Sequence, residues 1–193
     1  MNPLDLYLQD ARRQFRAMKK LADRALAQVS DADWFVTLDA EANSLAVIVK
    51  HVAGNLRSRW TDIFTTDGEK PDRHRDTEFE LTEADTKDTL QAHWERCWSI
   101  LFATLDALQA DDLARTILIR NEPHAVIEAI NRQLLHYSLH IGQIVFLAKH
   151  LASGHWHSLS IPRGMSAPFN ASARPKRGEV WDAAKQEVTE TKH

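Results

Sequence analysis

The chain has 193 residues, of which 44% are apolar and 26% charged, with 24 basic and 27 acidic side chains for a formal net charge of −3 and a single cysteine. That length encloses a hydrophobic core without covalent staples, and the near-balanced charge leaves no electrostatic footprint for nucleic acid or an anionic membrane surface. Cys97 cannot close an intramolecular disulfide, and neither a secretion signal nor a run of roughly 18 apolar residues is present, so a soluble cytoplasmic protein is expected.

Asn2 and Pro3 form a cap and first-turn pair, since proline has no amide hydrogen to leave unpaired there. Leu4, Leu8, Ala11, Phe15, Met18, Ala22, Ala25 and Val29 then alternate steps of four and three, which draws one stripe down a first helix. Ser30 to Asp39 interrupts it, and Trp34, Phe35 and Leu38 are expected to fold back as a plug over the bundle end. A second helix starts at Asn43 or Ser44 and turns Leu45, Ile48, Val52, Leu56 and Ile63 inward, with His51 beside that stripe. The charged run from Thr65 to Leu81 is too long for a tight hairpin and should cross or cover the bundle.

A third helix is expected near Thr82, with Asp85 as a capping partner, and carries Leu90, Trp94, Cys97, Leu101, Leu105 and Leu108. Gln109 to Asn121 is a connector with strand-like composition in ILIR but no second run long enough to make a sheet. The fourth helix should start around Glu122 to His124, run to about Leu151 and end by Gly154. Together these elements predict an all-α four-helix bundle over residues 1–153, an extended segment at 154–170 packed on it, and an irregular, flexible C-terminal tail at 171–193.

The ten histidines outnumber methionine and tyrosine combined. In HYSLH, His136 and His140 are four apart, which puts both rings on one helical face about one turn from each other. Buried histidines also occur simply to satisfy backbone carbonyls, but His51, mid-helix on another element, supplies a third imidazole. Three neutral imidazoles suit one divalent ion, zinc or nickel foremost, with copper and iron open, and leave a coordination position free. Asn55, one turn after His51, Arg132, one turn before His136, and Gln143, three after His140, can support the ligands. Metalloprotease chemistry is excluded because residue 137 is Tyr where H-E-x-x-H needs Glu, and di-iron bundles repeat Glu-x-x-His on two helices, a repeat this chain lacks.

VIVKHVAGN and HYSLHIGQI, set in four helical stripes, resemble the DinB family, also called the DinB/YfiT-like metalloenzymes, over about residues 1–170. GEKPDRHRDTEFE, AINRQLLHYSLHIGQIVFLAKHL and WHSLSIPRGMS resemble one bacterial branch of it. The resemblance implies an up-down-down-up bundle, a metal held by His51, His136 and His140, and a homodimer. It also implies a metal-dependent enzyme that transfers a low-molecular-weight thiol, such as bacillithiol or mycothiol, to an electrophilic substrate. The alternative is a metal-stabilised, stress-related binding protein without turnover. Arg73 and Arg75 place positive charge in the 65–81 loop, where it can meet an anionic substrate or remain solvated.

Overall fold

The computed structural model describes residues 2–171 and is mostly helical; the last 22 positions of the expected tail, 172–193, lie outside the described residues. Helix α1 spans Pro3–Leu26, with Asn2 Oδ1 accepting the Leu4 N–H at 3.1 Å and Pro3 in the first turn. Its stripe buries Leu8, Ala11, Phe15, Ala22 and Ala25. Beyond it, a 3₁₀ turn at Ala32–Phe35 is held by Asp33, whose Oδ2 accepts from Ser30 N at 2.9 Å. Only Trp34 of the expected plug is buried, while Phe35 and Leu38 face solvent. A single 3₁₀ turn offers one inward position, and Trp34 takes it.

Helix α2, Leu45–Trp60, is capped by Ser44, whose Oγ accepts the Val47 N–H at 3.3 Å. Thirteen of its 16 residues are buried, so it is the central helix and any polar side chain on it must find an interior partner. Helix α3, Lys87–Ala107, lies along α2, and α1 lies chiefly along helix α4, Val126–Leu151. Where the helices meet, Phe15 stands edge-on to both Trp60 and Tyr137, at centroid separations of 6.1 and 5.9 Å. Cys97 is core, as expected.

Three expected boundaries are corrected. Helix α3 starts at Lys87, not near Thr82, because Thr86 and Thr89 form a reciprocal cap, with Thr86 N–H on Thr89 Oγ1 at 2.9 Å and Thr89 N–H on Thr86 Oγ1 at 3.2 Å. Asp85 does accept the Thr82 N–H at 2.8 Å, but closes a separate turn there. Residues expected to be connector and helix start instead form an antiparallel hairpin, β1 (Thr116–Ile119) with β2 (Glu122–Ala125). Its turn residues Arg120 and Asn121 have φ of 56° and 60°, as a tight two-residue hairpin turn requires. Helix α4 therefore begins at Val126, where Glu128 accepts the Ala125 N–H at 2.8 Å.

The 154–170 segment begins at Gly154, in the left-handed region at φ 87°, and seats Leu159 in the core. It is not extended throughout: a short helix α5, Ser166–Ala171, closes the described chain with no buried residue. The 61–86 connection folds back over α2 through a 3₁₀ turn at Arg75–Phe79 that buries Glu78. It is pinned to the hairpin by Asp67, which accepts from Arg120 N and Asn121 N at 2.8 and 2.7 Å, and by Gly68 N–H on Leu118 O at 2.7 Å. No helix among the described residues is long and apolar enough to cross a membrane.

Candidate metal centre

Helical spacing sets His136 and His140 one turn apart on α4, and α2 crosses beside them with His51 pointing into the same space. The ring centroids of His51 lie 5.5 Å from His136 and 4.9 Å from His140, and those of His136 and His140 are 4.6 Å apart. One ligand nitrogen from each ring lies within 4.8 Å of the other two, so the three could hold a metal ion. A tetrahedral set with bonds of about 2.1 Å has nitrogens about 3.4 Å apart, so holding an ion would require the rings to approach one another.

The hydrogen bonds sort the ring nitrogens. Glu78, held as a carboxylate, can only accept, so His51 donates Nδ1–H to Glu78 Oε2 at 2.8 Å and its Nε2 keeps a free lone pair. Likewise His140 donates Nδ1–H to Gln143 Oε1 at 2.8 Å, which again leaves Nε2. His136 Nε2 is buried and has no hydrogen-bond partner among the described residues, a state that costs stability unless something fills it. Burial, then the nearby charges of His140 and His51, pushes His136 down to about 3. Burial also lowers His140, against the opposing pull of Gln143. These two rings are therefore neutral at pH 7, which is the form that binds a metal.

Glu78 is itself fixed. Burial raises its carboxyl, but His51 and Arg73 more than offset that and hold it below the ordinary carboxylate range. Arg73 donates Nε–H to Oε1 at 2.8 Å and Nη2–H to Oε2 at 2.9 Å, a two-point grip. The Phe79 ring stacks on His51 at 4.8 Å. Thus one short turn of the 61–86 connection both orients His51 and covers its outer face.

Of the expected supporting residues, Gln143 touches a histidine and Asn55 and Arg132 do not. Asn55 is buried and its Oδ1 accepts from Tyr137 OH at 3.0 Å, and that hydroxyl accepts the Trp60 indole N–H at 3.1 Å. Arg132 lines the cavity next to the histidines. His74, His93, His124, His155 and His157 do not join the cluster, and His193 lies outside the described residues. Glu78, Arg73 and Phe79 are functional neighbours that helical periodicity misses. Gly54, a glycine inside α2 one turn after His51, is the one sequence signal that something must approach that helix closely.

Above the cluster opens a cavity of about 520 Å³, with His51 and His136 in its wall and Leu135 and Leu139 at its edge. A family model described as "protein of unknown function (DUF1572)" matches residues 3–165. No curated protein matches the chain.

Proposed function

We propose, for a chain that belongs to the DUF1572 family, that His51, His136 and His140 hold one divalent ion, zinc or nickel, as the centre of an enzyme that transfers a low-molecular-weight thiol to an electrophile. The observation that carries the reading is the meeting of three imidazoles, each with a lone pair left over, two of which, His51 and His136, line an open cavity. His51, His136 and His140 would hold the ion with one position free, and its charge would favour deprotonation of a thiol at neutral pH, where a free thiol of pKa about 8.5 is mostly protonated. This chain's own residues supply the rest. Glu78 and Gln143 set which nitrogen of His51 and His140 faces inward, Arg73 holds Glu78, and Phe79 shields the His51 ring.

The resemblance of VIVKHVAGN and HYSLHIGQI to the DinB family supports the same reading. The 61–86 connection has the length that an up-down-down-up order of four helices calls for, and we read the bundle in that order, as one half of a homodimer that light scattering would detect. The test is conjugation of bacillithiol or mycothiol to an alkyl halide by the full chain loaded with zinc or nickel, with elemental analysis alongside. His136→Ala should abolish both metal retention and turnover. Turnover that survives metal removal would overturn the mechanism.

One observation favours the second reading, a metal-stabilised binding protein: no carboxylate among the described residues lines the cavity to act as a base. A tightly bound ion together with no conjugation of any thiol tested would select it.

A further inference from the structure

The wall of the same cavity has a composition that the metal does not explain. Five arginines line it, Arg59, Arg73, Arg75, Arg120 and Arg132, with no aspartate or glutamate among the lining residues. The carboxylates that neutralise some of them are not among the lining residues. Glu69 accepts from Arg59 at 3.0 Å and from Arg120 at 2.9 Å, and Glu78 takes Arg73. The arginines at the cavity mouth are less satisfied. Arg132 is exposed and its guanidinium has no ion pair or hydrogen bond among the described residues. Among the described residues Arg75 pairs only with Asp76, at 3.7 Å and with Asp76 99% exposed, and lies over the Phe79 ring at 5.0 Å. Arg120 is half exposed and engages Glu69 through Nε.

Two buried polar atoms on the same wall also lack partners among the described residues. Gln133, 2% exposed, leaves Oε1 unpaired, and Arg59, 6% exposed, leaves Nε unpaired. A buried donor or acceptor without a partner is destabilising, and in a native structure such an atom calls for an explanation, a group that completes it being one. Like-charged guanidinium groups crowded on one concave wall also repel each other, and a concave wall focuses their field outward.

We infer that the molecule taken by this site is an anion whose oxyanion group, carboxylate or phosphate, seats against Arg75, Arg120 and Arg132 while its remainder reaches along Leu135 and Gln133 toward the histidines. Planar, forked guanidinium groups match the paired oxygens of both anions, and Leu135, 76% exposed, adds an apolar surface to the same lining. The inference deepens the function proposed above, since it names the substrate class of that site, but the arginine rim is made of residues other than the three histidines.

The test is isothermal titration of the full-length chain with phenyl phosphate, phenylacetate and the uncharged phenylacetamide, each with one equivalent of zinc and again after chelation. Both anions should bind at least tenfold more tightly than the amide in either state. Raising the ionic strength from about 0.01 to about 1 M, which shortens the screening length from about 30 to about 3 Å, should weaken the anions and not the amide. Arg75→Glu and Arg132→Glu should each cost the anions tenfold or more, whereas Lys20→Glu, the same charge change on exposed α1 surface, should not; unchanged helical circular dichroism confirms folding. Preference of phosphate over carboxylate, or the reverse, identifies the oxyanion. Equal binding of acid and amide, indifference to both arginine substitutions, or binding that requires zinc would each overturn the proposal. Zinc affinity measured separately keeps the two readings apart: loss of zinc binding with anion binding intact would strike the metal centre alone, and the opposite result the anion site alone.

Discussion

Gly54 and the carboxylate of Glu78 share one space. A Cβ at residue 54 would stand 2.2 Å from Glu78 Oε1 and 2.8 Å from its Cδ, well inside van der Waals contact. Glycine in mid-helix forgoes about 1 kcal/mol relative to alanine, and here the sacrifice lets a buried carboxylate lie flat against α2 and reach His51. Glu78 is flexible enough to swing away, so Gly54→Ala should fold normally while displacing the carboxylate from His51 Nδ1. Loss of such an orienting partner typically weakens metal binding about 10- to 100-fold, and competition with a chromophoric chelator would measure it. Glu78→Gln should fall between wild type and Gly54→Ala, because its amide oxygen can still accept from His51. Equal zinc affinity in all three proteins would remove Glu78 from the centre.

The metal-free chain should lose stability on mild acidification. His136 is pushed down to about 3 from an ordinary 6.5, first by burial, and His140 is lowered too. A histidine held below its ordinary value binds its proton more readily when the chain is unfolded. Its neutral form therefore contributes stability that is fully present above about 6.5 and is lost progressively as pH falls toward the folded value. Glu78, also held low, acts in the same direction at lower pH, its contribution being complete above its ordinary 4.5. The thermal midpoint of chelator-treated protein should thus fall between about pH 7 and pH 5, and His136→Gln should flatten that slope. An unchanged slope in the variant would show that His136 does not sense the bundle interior.

Helical period explains which parts of this molecule are legible in the sequence. Leu8, Ala11, Phe15 and Ala22 repeat with the turn of α1, and His136 and His140 repeat with the turn of α4, so a core stripe and a ligand pair follow from spacing alone. The approach of His51 to that pair is legible only in part: it lies mid-helix beside the apolar stripe of α2, which makes it an interior candidate, but spacing within α2 says nothing of which face of α4 it meets. Glu78 is invisible by the same logic: it meets His51 across 27 residues through an irregular connection that has no period. The hairpin is missed for a local reason, since its turn is Arg120–Asn121 without glycine and each strand is only four residues long.

Cys97 should be inert in the folded protein. Its thiol is pushed up to about 11 by burial, against the smaller opposing influence of Arg96 and Arg57. Relative to the ordinary value of 9.0 this lowers the thiolate fraction near pH 8 roughly a hundredfold, before any loss of access is counted. Iodoacetamide should therefore label the native chain far more slowly than the chain in denaturant, and any thiol chemistry should survive Cys97→Ala at a temperature where that variant is folded. Rapid native labelling would place the thiol at the surface and reopen it as a nucleophile.

Tyr137 stands next to His136 in sequence, yet its work is structural. It is wholly buried, burial raises its phenol well above the ordinary range, and its hydroxyl accepts from Trp60 Nε1 while donating to Asn55 Oδ1. Tyr137→Phe keeps the ring that packs edge-on to Phe15 and removes only that bridging oxygen. The indole N–H and the Asn55 oxygen are then left unpaired, which should cost about 1–3 kcal/mol and lower the denaturant midpoint accordingly. Because the hydroxyl bonds to no histidine, zinc affinity should stay within about twofold, well short of the tenfold loss typical of a direct supporting partner. A variant that keeps its stability but loses zinc would reverse the assignment and make Tyr137 part of the centre.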